Sequence, residues 1–395
     1  MKKALKYIAV QLHLWLGISS GLVVFIVALT GSLLVFEEEL EPVINRSFHV
    51  VNAPEDKSRL SLDSLTKIVN TRFPENKISR IIIQPEDERT IVMGLKNGKK
   101  ERDILSAAIN PYTGEITGSR NEEDTFFEVV LRLHRYLCLG DTGKLITGIS
   151  CVMFLIIMIT GLVLWWPNRK NQKQRFRVKW DASFKRLNWD LHAVFGFYVL
   201  PFVFLIALTG LVWSYKWVNN LIYLALDGKP QQKREAPINV MLIKNTQTHF
   251  EQIWQETDRQ LPNHGKISIS IPEKDSLSIT VTKVDDEAAI ANIVSSLYFD
   301  KNNGKLVSKL LYKDETTGFK ARRIIFPVHT GSLLGWPTKI IAFIVALITA
   351  SLPVTGFIIW FVRKFKTKKK MEKVGIADAK IRRKPTVLTE ISLKK

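Results

Sequence analysis

Four histidines stand in two matched pairs: His13 and His192 are 179 positions apart, and His134 and His329 are 195 apart. Each lies in or beside a long apolar run. An ionisable ring at membrane depth is costly, which makes it a functional candidate. An interhelical hydrogen bond or a headgroup contact would explain one isolated interfacial histidine, but not four at repeated spacing. A haem iron already holds four porphyrin nitrogens and is completed by two axial ligands. One imidazole from each of two matching segments therefore suits a b-type haem, giving an expectation of two haems. A tetrahedral zinc site would want more ligands in one layer. Gly17 and Gly196 follow His13 and His192 by one helical turn on the same face, where a missing side chain leaves room for a flat macrocycle; close helix packing is their alternative role. Only two cysteines, Cys138 and Cys151, are present, and no Cys-x-x-Cys, so any haem is non-covalent.

The elements that must position these rings are apolar. The runs 7–36, 145–167, 191–218 and 340–362 each reach the roughly 20 residues needed to cross a bilayer. A mean hydropathy of +0.04 averages these runs with segments as polar as a soluble domain. The first run has no small-residue cleavage site before Glu37 and is expected to be a retained anchor. Segments 1–7, 168–190 and 363–395 carry net charges of +3, +6 and +10 out of a total of +20, whereas residues 37–143 carry −4. Positive-inside topology then places 1–6, 168–190 and 363–395 in the cytoplasm and 37–143 and 219–339 outside. A basic excess confined to membrane-flanking segments is explained by topology and anionic lipid, so no nucleic-acid partner is expected.

The repeat extends beyond the histidines. Ala28-Leu29-Thr30-Gly31 matches Ala207-Leu208-Thr209-Gly210, and Gly140, Lys144, Thr160-Gly161 and Trp165 match Gly335, Lys339, Thr355-Gly356 and Trp360. The chain therefore reads as a duplicated two-span unit whose halves share one orientation in the membrane. His13 and His192 fall in one layer and His134 and His329 in the other. The Leu-Thr-Gly elements read as helix-packing sites. Of the basic residues near the outer layer, Arg132, Arg135, Lys144, Arg322, Arg323 and Lys339, only the Lys144/Lys339 pair repeats; these residues are candidates for haem propionates, an anionic substrate or the membrane edge. The tryptophans at span ends read as aromatic belts.

Each external segment reads as a small α+β unit. In the first, a helix is expected over 60–73, with strands over 78–84, 89–95 and 103–110. In the second, the helix is expected over 246–259 and the strands over 266–271, 276–283 and 295–299. Units this small should pack on each other or on the membrane surface. His49, His249 and His264 have no counterparts in the other half and are expected to be structural or solvated.

The motifs Leu12-His13-Leu14-Trp15-Leu16-Gly17, Leu133-His134 with Leu139-Gly140, and Thr160-Gly161-Leu162-Val163-Leu164-Trp165-Trp166, with their second-half counterparts, resemble bacterial PepSY-associated transmembrane proteins over roughly residues 5–365. These proteins include iron-regulated membrane proteins and inner-membrane ferric-siderophore reductases. The resemblance implies a four-helix transmembrane core with two PepSY-like periplasmic domains, haem b held by the repeated histidines, and reduction of ferric siderophores or other ferric chelates. With no Gly-x-Gly-x-x-Gly after a strand, the electron donor is expected to be a quinol, another protein or a diffusible reductant. A membrane scaffold whose PepSY-like domains bind peptide or restrain a peptidase is the alternative; a metal or siderophore permease would need more intramembrane charge.

Overall fold

The computed structural model describes residues 3–55, 58–96, 104–166, 173–232, 236–239 and 249–382. The expected segment ends at Asp103, Pro167 and 246–248, together with 168–172 and 383–395, lie outside these residues. Among the described residues, four helices are long and apolar enough to cross a membrane: Ala4–Leu34, Gly140–Trp165, Phe184–Ser214 and Trp336–Phe365. They belong to α1 (Lys3–Leu34), α6 (Gly140–Trp165), the stretch α7 (Phe184–Asp190) through α8 (Gly196–Ser214), and α12 (Trp336–Arg382). The first span stops two residues short of Phe36, where Glu37, Glu38 and Glu39 open the short helix α2 (Glu37–Ile44). Three carboxylates in a first turn suit the partial positive charge of a helix N-terminus.

Between the spans of each half lies a helix followed by four strands. In the first half, α3 (Arg46–His49) and α4 (Leu62–Arg72) precede β1 (Lys77–Ile83), β2 (Ile91–Lys96), β3 (Ile104–Ile109) and β4 (Ile116–Asn121). In the second, α9 (Lys216–Asp227) and α10 (Phe250–Gln260) precede β5 (Ile267–Ser270), β6 (Ile279–Val284), β7 (Val294–Phe299) and β8 (Leu306–Leu310). The expected strands are present with shifts of a few residues; β4 and β8 were not anticipated. They follow the tight turns at Gly114 and Gly304, whose φ of +73° and +66° favours glycine. Neither strand is deeply buried, so neither shows a strong apolar alternation.

The two units do not merely pack together. All eight strands form one antiparallel sheet ordered β4-β3-β2-β1-β5-β6-β7-β8. Its centre is the β1–β5 ladder, with Ile81 opposite Ile269 and both fully buried. One apolar cluster runs through both halves, combining Leu62, Leu65 and Val69 of α4 with Phe250 and Ile253 of α10 and with the inward strand residues Met93, Ile109, Leu297 and Phe299. Each half alone would leave β1 or β5 as an exposed apolar edge, which pairing removes. Two short helices return the chain to the membrane: α5 (Phe126–Tyr136) leads into α6, and α11 (Thr317–Thr330), capped by the Thr316 hydroxyl accepting from Phe319 N at 3.2 Å, leads towards α12.

Candidate functional site

The four histidines sit on four different elements. His13 lies near the start of α1, His192 in a π-helical turn, Leu191–Phe195, between α7 and α8, His134 on α5 and His329 on α11. Their rings come together in twos. His13 and His192 have ring centroids 6.2 Å apart with planes at 88°; His134 and His329 are also 6.2 Å apart, at 69°. His13 precedes Thr30, which touches His134, by 17 residues on one helix, so the two layers lie roughly 25 Å apart along α1.

Every ring is held in the same way. His13 Nδ1 lies 3.1 Å from Ile157 O and 3.3 Å from Thr160 Oγ1. His192 Nδ1 lies 3.1 Å from Leu352 O and 3.0 Å from Thr355 Oγ1. His134 Nδ1 lies 2.9 Å from Val27 O and 3.2 Å from Thr30 Oγ1, and His329 Nδ1 lies 2.9 Å from Ile206 O and 3.1 Å from Thr209 Oγ1. A carbonyl only accepts, so Nδ1 carries the proton and donates it. Each threonine hydroxyl donates to a carbonyl of its own helix, such as Thr30 to Ile26 at 2.7 Å, and keeps a lone pair for the imidazole. The glycine after each threonine completes the cradle. A Cβ at Gly31, Gly161, Gly210 or Gly356 would stand 3.0, 3.1, 3.3 or 3.1 Å from the Cε1 of His134, His13, His329 or His192.

The Leu-Thr-Gly elements are therefore not only helix-packing sites, as their distance from the histidines along the chain suggests. They seat His134 and His329, and the Thr160-Gly161 and Thr355-Gly356 elements seat His13 and His192, each reached from a different helix. The signal was present in the sequence in that every histidine and every Thr-Gly repeats, each histidine at one of the two offsets and its seat at the other. What it lacked was the antiparallel pairing of helices that brings position 13 against 160 and position 134 against 30.

A family model described as the PepSY-associated TM region matches residues 10–363. The chain belongs to this family. No curated protein matches it.

In this PepSY-associated transmembrane protein, with Nδ1 donating to a carbonyl, the lone pair of the ring falls on Nε2, the atom free to bind a metal; a carbonyl that fixes the tautomer in this way is the usual support of a ligating histidine. Among the described residues, all hydrogen bonds made by the four rings run through Nδ1. Two metal–nitrogen bonds of about 2 Å each and two imidazole half-widths add to roughly 6 Å, which matches the centroid separation of both pairs. Each layer brings together two imidazoles, and so two Nε2 donors. That donor set fits a metal whose other positions are filled by its own macrocycle.

The remaining candidates are unequal. A Cβ at Gly17 would meet no atom within 4 Å, whereas one at Gly196 would touch Leu352 at 3.7 Å. Lys339 is buried and its Nζ lies 2.7 Å from Glu39 Oε1 and 3.4 Å from Glu38 Oε2. Lys144 makes no ion pair among the described residues. Arg132 donates to Glu123 O at 2.6 Å, and Arg135 lies 5.0 Å over the Tyr136 ring. The second half also adds a polar contact that sequence reasoning missed. Buried Asn188 donates to Thr355 O at 3.0 Å, next to the seat of His192; position 9, its counterpart, is Ala. His49 packs on Phe48 and lies within 3.4 Å of Glu41 and Arg120, a structural setting in which burial pulls its pKa down.

Proposed function

We propose that the chain is a b-type dihaem electron-transfer protein of the bacterial inner membrane, with both termini cytoplasmic, that reduces ferric siderophores or related ferric chelates on the periplasmic, sheet-bearing side. In this reading the architecture descends from a duplicated two-span unit, and the sheet is two PepSY-like domains fused at β1 and β5. His13 with His192, and His134 with His329, would hold the two haems. When bound, haem b supplies reversible one-electron chemistry at two depths of the membrane.

The observation that carries the proposal is the fourfold cradle: a carbonyl, a threonine hydroxyl and a glycine, repeated at every histidine, orient Nε2 of each ring into a two-imidazole layer. The chain's own contribution is to hold the rings against rotation, keep them in the metal-binding tautomer and surround the layers with apolar helix faces. Gly17 keeps the face beside His13 flat. The His13/His192 pair would hold the haem nearer the donor, a quinol, a protein or a diffusible reductant, and the His134/His329 pair the haem nearer the chelate. Lowering the charge of chelated iron from Fe(III) to Fe(II) weakens its hold on hard oxygen ligands and so frees it for uptake.

The test is a pyridine haemochrome count on protein purified in mild detergent, with oxidised and dithionite-reduced spectra, for the wild type, His13→Ala and His329→Ala. Two haems in the wild type and one in each variant are expected. A protein that stays colourless after haem supply would leave the peptide-binding scaffold as the better reading.

A further inference from the structure

The two halves are alike at the histidines and opposite beside them. Applying the same offsets of 179 and 195, Glu37 stands where the second half has Lys216 and Glu128 where it has Arg323; Leu34 and Phe127 stand where it has Trp213 and Arg322. At these four matched positions the first half carries two carboxylates and two apolar side chains where the second carries three cations and an indole, although Arg132 and Arg135 also stand near Glu128.

The acidic side is a cavity of about 230 Å³ whose lining includes Glu37, Gln84, Arg120, Glu122 and Glu128. Arg120 is taken by Glu41 at 2.6 Å and Glu122 by Arg80 at 2.7 Å, whereas Glu37 and Glu128 make no ion pair among the described residues. On the other side the Trp213 ring lies 5.2 Å from the His329 ring, tilted by 56°, and the Arg322 guanidinium lies 4.7 Å over the Trp213 ring. Arg322 Nε donates to Asn219 Oδ1 at 2.8 Å, and Arg323 donates to Asn292 O and Oδ1. Neither guanidinium has a carboxylate partner among the described residues. Two half-buried cations held in place by amides, without a counter-charge, form a site for an anion. The Trp213 ring, between Arg322 and the outer-layer His329, makes that anion's position special.

We propose that Trp213, Arg322 and Arg323 form the docking face for an anionic ferric chelate, with Trp213 the contact between the chelate and His329; this rests on the dihaem reading. Oxygen atoms of the chelate meet the guanidinium groups, and the Glu37/Glu128 side repels the same charge, so docking is confined to one half. A ferrous haem b held between His134 and His329 would be oxidised to the ferric state as the chelated Fe(III) is reduced to Fe(II), one electron passing between them; no bond of the protein would form or break. The other anion within reach of Arg322 chemistry is a propionate of that bound group, and the experiment separates the two.

The full-length protein in detergent, both haem-free and haem-loaded, is titrated calorimetrically with gallium(III) citrate, a redox-inert anionic chelate. Arg322→Gln should weaken binding by about tenfold or more in both forms, the loss expected for a charge-assisted hydrogen bond, while Glu128→Gln should not weaken it. Trp213→Leu should keep the haem count yet slow re-oxidation of the dithionite-reduced protein by iron(III) citrate several-fold, with Trp213→Phe in between. Unchanged gallium binding in Arg322→Gln overturns the proposal. So does a loss of haem from Arg322→Gln with chelate binding intact, which would assign Arg322 to a propionate. Haem loss in both Trp213 variants would make the ring part of the haem pocket and also overturn it. Binding of gallium citrate through Arg322 to a wild type that never takes up haem would uphold the docking face while removing the dihaem reading.

Discussion

Asp63 and Glu251 cap each other's helices across the centre of the sheet. Asp63, in the first turn of α4, accepts from the backbone of Phe250 at 2.8 Å and Glu251 at 3.4 Å; Glu251, in the first turn of α10, accepts from Leu62 N at 2.7 Å. The N-terminal amides of two helices, which have no intrahelical acceptor, are thereby satisfied by the opposite half. The caps and the β1–β5 ladder make the extramembrane region one cooperative body. Asp63→Ala and Glu251→Ala should each cost about 0.5–2 kcal/mol, read as a lowered midpoint in thermal melts. Two separate melting transitions would show that the halves unfold independently.

The seam between β1 and β5 should be the more sensitive point. Ile81→Ala or Ile269→Ala removes a fully buried side chain from the ladder and should cost about 2–5 kcal/mol. Urea titration of the wild type and each variant measures the loss; a cost below that of the cap variants would mean the seam can repack.

The glycines of the cradles make a prediction that a generic packing role does not. Gly161→Ala places a methyl 3.1 Å from His13 Cε1 and Gly356→Ala one 3.1 Å from that of His192, so both should displace a ring of the same layer and lower the haem count. Gly17→Ala meets no protein atom within 4 Å and should leave the haem-free fold unchanged while still reducing haem uptake. Equal haem content in Gly17→Ala and wild type would remove Gly17 from the haem face.

Glu128 should make neutral pH slightly unfavourable for folding. Burial is the largest influence and, with smaller contributions from Glu122 and Glu123, outweighs the opposing Arg132 and Arg135 and raises its pKa. The folded state then binds more protons than the unfolded state between the ordinary carboxylate value of 4.5 and the raised one, so this group's contribution to stability falls as pH rises through that window. Glu128→Gln should therefore raise the melting temperature at pH 7 and leave it unchanged below the carboxylate range. Melting curves at several pH values check the direction; a variant less stable at pH 7 would reveal a favourable partner for the carboxylate.

The matched lysines should behave differently. Lys339→Ala strips the partner from Glu39, whose Oε2 is already buried without a hydrogen bond, and should cost about 1–3 kcal/mol. Lys144→Ala breaks no ion pair among the described residues and should leave the melting temperature near that of the wild type. Comparable losses from the two would show that Lys144 has an equivalent partner.

The sequence alone determined the spans, because roughly 20 apolar residues in a row have few other uses. It also determined the pairing of positions between the halves, because a repeated offset survives without any knowledge of packing. The histidines were legible as candidates for the same reason. The tertiary structure decided what periodicity cannot encode. It placed His13 against Thr160 and His134 against Thr30, contacts within each half between segments more than 100 residues apart, and it made the ring pairs contacts between halves. A packing role and a ligand-seating role for Thr-Gly look identical along one helix; only the neighbouring helix separates them. The single eight-stranded sheet was hidden likewise, since strand-edge hydrogen bonding is a backbone property that side-chain patterns do not assign to a partner. The inversion of charge between Glu128 and Arg323 was written in the sequence, but the ring of Trp213 against His329 gave it a place in the molecule.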